Sequence, residues 1–105
     1  MPFRALPALA AAIALVPPAA AVTVVNESGG ALELASPVQQ TSHTVSDAQH
    51  FDIPESWGDS RHLYLDVTTA TGLAACSALQ DRYGTLKVPS HWSALRVAAD
   101  GICES

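Results

Sequence analysis

Apolar and polar residues alternate with a period of two along most of this chain beyond its first 21 residues, and the pattern is clearest over His62–Thr69. Leu63, Leu65 and Val67 fall on one side there, with His62, Tyr64, Asp66 and Thr68 on the other, because successive side chains of a strand point to opposite faces. The same alternation runs through Val22 and Val24. It resumes at Leu32 and Leu34 after the turn-forming Asn26-Glu27-Ser28-Gly29-Gly30, so the pattern predicts an opening hairpin. A short strand is predicted over residues 42–46, centred on Val45. Residues 49–53 place Phe51 and Ile53 on one face and Asp52 on the other, and Pro54 closes that strand. Residues 85–88 and 94–98 supply two more, the second with Leu95 and Val97 inward. Asp100-Gly101 is a hairpin signal that returns Ile102 and Cys103 alongside.

Residues 73–80 are less regular. Their alanines suit a helix, and Leu73, Cys76, Leu79 and Tyr83 lie near helical spacing, but the all-strand context favours a strand here too. Six to eight short strands separated by Gly, Pro, Asn and Asp predict an all-β fold, a small antiparallel β-sandwich or barrel-like domain. The apolar face of each strand gives its core, from Val24 and Leu32 through Phe51, Leu65 and Leu95 to Ile102.

The N-terminus changes this picture. Arg4 precedes a nearly unbroken apolar run over residues 5–16, about 18 Å long as a helix against a bilayer core of about 30 Å. Pro17 and Pro18 end it, and Ala19-Ala20-Ala21 supplies a small-residue cleavage pattern. Residues 1–21 therefore read as a secretory signal peptide cut after Ala21, and residues 22–105 as a single small β domain, secreted or extracytoplasmic. No later stretch is apolar enough to be a membrane span.

Without its leader the chain keeps Arg61, Arg82, Lys87 and Arg96 against ten acidic residues. So acidic a protein, with its few cations scattered, repels phosphate backbones, and nucleic acid is excluded as a partner. Cys76 and Cys103 are the only cysteines, and export makes a disulfide their expected state. Neither belongs to a CxxC motif, which argues against a thiolate metal site or a reactive thiol.

Several chemistries lack their machinery. No glycine-rich loop opens a helix to cradle a phosphate, no GxSxG turn projects a serine and no HExxH pair holds zinc, so no cofactor is implied. His43, His50, His62 and His91 are the histidines. His50 shares a strand face with Asp52, and His62 with Tyr64 and Asp66, so a metal site needs them to meet across strands. Asp47, Asp52, Glu55, Asp59 and Asp66 are the carboxylates a hydrolytic pair would draw on. Trp57 stands out in the loop Pro54-Glu55-Ser56-Trp57-Gly58-Asp59-Ser60, as does Trp92 in Ser90-His91-Trp92-Ser93. Tryptophan among turn residues, with no apolar neighbours, suggests display, and displayed tryptophan is a common binding anchor. Trp57, Asp59 and Trp92 are accordingly the candidate binding residues. Asn26-Glu27-Ser28 also fits the N-glycosylation pattern, in what reads as an exposed turn.

These observations favour a secreted, non-enzymatic binding or interaction protein, effector-like, that recognises an extracellular protein or glycan through loop surfaces. The alternative is a small secreted enzyme or metal-binding protein built on the His, Asp and Glu side chains.

Overall fold

A computed structural model describes residues 20–72 and 74–105. Eight strands follow in order: β1 Ala20–Glu27, β2 Leu32–Ser36, β3 Thr41–Val45, β4 His50–Pro54, β5 His62–Thr69, β6 Leu86–Pro89, β7 Ala94–Ala98 and β8 Cys103–Glu104. Single 3-10 turns occupy Glu55–Trp57 and Ser77–Leu79. The strands form two four-stranded sheets, ordered β4-β1-β7-β8 and β3-β2-β5-β6, in which β1 and β7 are the one parallel pair. This is the expected all-β sandwich. Of the expected signal segment, only Ala20 and Ala21 lie within the described residues. No helix among the described residues is long and apolar enough to cross a membrane.

The core is where the two inner faces meet. One sheet supplies Val22, Val24, Ile53, Leu95 and Val97, the other Leu32, Leu34, Val45, Leu63, Leu65, Val67, Leu86 and Val88, all buried. These are the apolar positions of the period-two pattern, since alternation along each strand sends one face inward. Two members of the expected core are not fully buried. Cys103 pairs with Val97 and turns inward with it, so Ile102, one residue earlier, faces out and is 65% exposed. Phe51 pairs with the buried Val24 and also faces inward, but β4 is an edge strand and leaves the ring half-buried.

The opening hairpin is not formed. β1 pairs with β4 and β7, β2 with β3 and β5, and the chain steps from one sheet to the other between them. Asn26 holds that step. Its side chain is 0% exposed, and its Nδ2 donates to the carbonyls of Gly30 (2.8 Å), Val45 (3.0 Å) and Ser46 (3.1 Å). Its Oδ1 accepts from the Ser28 amide (3.0 Å) and hydroxyl (2.6 Å). The end of β1 is thereby tied to the end of β3 in the opposite sheet, and Gly29 takes the positive φ of +86° that the corner requires.

Residues 74–80 do not form the expected strand, and Leu73 lies outside the described residues. Ala74 makes one isolated bridge to Thr68, Cys76 adopts a left-handed φ of 64°, and the 3-10 turn follows. The reason lies at Cys76. It is bonded to Cys103 with a Cα–Cα distance of 4.9 Å, and its amide donates to the Gly101 carbonyl (3.0 Å), so the chain folds onto the β7–β8 turn instead of extending. The expected disulfide thus staples the long β5–β6 connection to the last strand.

Candidate binding surface at one end of the sandwich

Strands β2, β4 and β6 run towards one end of the sandwich and β3, β5 and β7 run away from it, as the pairs Ser36–Thr41, Ala20–Pro54, His62–Pro89 and Thr23–Ala94 show. Three connections therefore meet there: residues 37–40, 55–61 and 90–93. They are fastened to one another. Gln39 Nε2 donates to the Ser56 carbonyl (2.8 Å), the Ser90 amide to the Arg61 carbonyl (2.9 Å), and the Ser90 hydroxyl to the Ser60 carbonyl (2.8 Å). Trp57, Asp59 and Trp92 all belong to this end, although 35 positions separate the first from the last.

Their roles differ. Trp57 is not displayed: it is 4% exposed and packs into the core, its ring 5.8 Å from that of Phe51. Local backbone geometry turns it inward. Pro54 leads into the 3-10 turn, the Gly58 amide closes it on the Glu55 carbonyl (3.2 Å), and Gly58 lies so close to β5 that a Cβ would collide with the His62 carbonyl oxygen. With the turn pressed against β5, the indole has only the sandwich interior to enter. Trp92 is half-buried, with one part packed against the core and the rest open to solvent.

Asp59 is exposed, but its carboxylate is engaged. Oδ1 accepts from the amides of Arg61 (2.8 Å) and His62 (2.9 Å), and Oδ2 accepts from the Tyr64 hydroxyl (3.1 Å). Hydrogen bonds from the His62 and Arg61 amides hold the carboxyl below its usual range, because they favour the ionised form. The bond to Asp59 in turn raises the Tyr64 phenol, whose proton it uses. Asp59 shapes the loop more than it faces a ligand. The sequence reading missed Val38, 50% exposed in the β2–β3 turn. An aliphatic residue between Pro37 and two glutamines was the available signal.

The other candidates are spread along the sandwich, with Glu55, His62 and His91 at this end. His50 begins β4 at the far end of the sandwich from His62, which begins β5. His43 stacks on Phe51 with ring centroids 4.0 Å apart, bridging edge strands of the two sheets. Asp52 accepts from the Thr23 hydroxyl (2.7 Å). Among the described residues no three His, Cys, Asp or Glu side chains are grouped to hold a metal ion. Asn26, expected in an exposed turn, is buried, and the nitrogen that a glycan would occupy is the one that donates to the three carbonyls. A glycan at Asn26 is incompatible with this fold.

The far end has an open cavity of about 230 Å³, lined by small residues with Ser28, Thr71 and Asp100 among its polar groups. Asp100 is committed to the Ile102 amide (3.0 Å), and no acid–base pair lines this cavity. The chain matches no family model, no curated protein and no solved structure.

Proposed function

We propose that this chain is an exported, effector-like binding module, not an enzyme, that contacts an extracellular protein or glycan through the sandwich end formed by residues 37–40, 55–61 and 90–93. The observation that carries the reading is the set of cross-loop hydrogen bonds that fixes these three connections as one surface. A fixed surface loses little entropy on binding, and loops on a rigid scaffold are where such domains carry recognition. Val38 and the open part of Trp92 offer apolar contact on it, with Arg61 and His91 as exposed polar groups. The disulfide and the apolar leader pattern support placement in an oxidising, extracytoplasmic compartment.

The test is binding of the disulfide-bonded chain to panels of extracellular glycans and surface proteins. Trp92→Ala and Val38→Ala are compared with Glu27→Gln, an exposed change at the opposite end. For a hot spot at this surface, Trp92→Ala weakens binding by about 30-fold or more while Glu27→Gln leaves it unchanged. Equal effects at both ends reject the surface.

A further inference from the structure

We infer that the fold closes its own processing site, so that the Ala21–Val22 bond has to be cut before β1 enters its sheet. The inference rests on the reading of residues 1–21 as a cleavable leader, and it adds an order of events. That bond lies inside β1, not ahead of it. On one side Ala20 pairs with Pro54 and Val22 with Ile53, with a slip of register between them. On the other side Thr23 pairs with Ala94, and its amide donates to the Ser93 carbonyl (3.1 Å). The Thr23 hydroxyl is held by Asp52 (2.7 Å), and Val22, the first residue after the bond, is 1% exposed.

A peptidase binds its substrate as an extended strand and needs the main chain free on both sides of the scissile bond. In this fold Ala20 and Val22 are paired with β4, and Thr23 is paired with both β4 and β7. Freeing residues 20–23 means parting the start of β1 from β4, breaking the Thr23 pairing with β7 and withdrawing Val22 from the core. Opening that takes Val22 out of the core costs free energy, and cleavage through a rare open state is slowed in proportion to its population. The chain is therefore exported and trimmed unfolded, and the sandwich and its disulfide form afterwards.

The experiment uses the full 105-residue chain and a purified signal peptidase in detergent micelles, with loss of residues 1–21 followed by intact mass. The folded, oxidised chain is compared with Leu65→Asp, which puts a charge at a fully buried position of β5 far from the bond, and with the reduced, carboxymethylated chain. Circular dichroism verifies that both comparators are unfolded. Both unfolded substrates should be cut after Ala21 at least about 100-fold faster than the folded chain. Equal rates overturn the proposed order and leave the leader reading standing. Failure to cut either unfolded substrate at that bond removes the leader reading, and the inference with it.

Discussion

Replacing Asn26 tests the feature on which the sheet-to-sheet step depends. Asn26→Ala removes the donor that serves three main-chain carbonyls and the acceptor that takes two groups of Ser28. The bond to the Val45 carbonyl is buried, and leaving such a group unpaired costs about 1–3 kcal/mol. The remaining bonds are part-buried and contribute about 0.5–1.5 kcal/mol each. Water recovers some of these, which gives a total loss of about 3–5 kcal/mol. A domain of this size has about 4–13 kcal/mol in all, so the variant is close to unfolding. Asn26→Asp separates the two halves of the side chain: it keeps an acceptor for Ser28 but points a carboxylate oxygen at three carbonyls. Its folded pKa is thereby raised, so its relative stability is highest below the unfolded value and falls as pH rises through the folded one. Urea unfolding followed by tryptophan fluorescence at pH 3 and pH 7, each variant against wild type at the same pH, reads both effects. An Asn26→Ala loss below about 1 kcal/mol, or an Asn26→Asp penalty that does not grow between the two pH values, refutes the reasoning.

Trp57→Ala should cost about 3–5 kcal/mol in the same urea assay, as for a buried large-to-small change, whereas a stability within about 0.5 kcal/mol of wild type would mean that the ring is displayed after all. Replacing Cys76 and Cys103 together by serine should cost about 3.5 kcal/mol, the chain-entropy value for a 27-position loop, and reduction of the wild-type chain should lower its unfolding free energy by a similar amount. NMR titration should show Asp59 ionising below the ordinary aspartate range, with the Arg61 and His62 amides shifting together with it. The stability this carboxylate adds is then present above the unfolded value and lost as pH falls through the folded one. In Asp59→Asn, which keeps an acceptor for both amides, the loop should survive without that pH dependence.

Where alternation is long and uninterrupted the strands were legible to the residue, as at His62–Thr69 and Ala94–Ala98. A period of two says which side chains share a face, but it does not say which strand lies alongside, and the assignment of β1 and β2 to different sheets was hidden for that reason. The step between the sheets is tied by a polar side chain, Asn26, whose partners Val45 and Ser46 lie about 20 positions away. Trp57 was misread because its neighbours are turn formers. The clue to its burial is Gly58, whose missing Cβ lets the turn close onto β5, and that contact exists only once the chain is folded.

The same distinction separates residues that look chemical from those free to act. Asn26, Asp59, Asp81 and Asp100 each accept a hydrogen bond from the amide two positions on, at Ser28, Arg61, Tyr83 and Ile102. This is the local bond by which Asn and Asp fix a turn, and a small sandwich with many short connections needs it repeatedly. From sequence alone a carboxylate such as Asp59 resembles an acid, a base or a ligand. Once such oxygens are committed to main-chain amides, moving one to serve a substrate would release the turn it holds. At the three-loop end the side chains of Val38, Glu55, Arg61 and His91 and the open part of Trp92 hold no such turn.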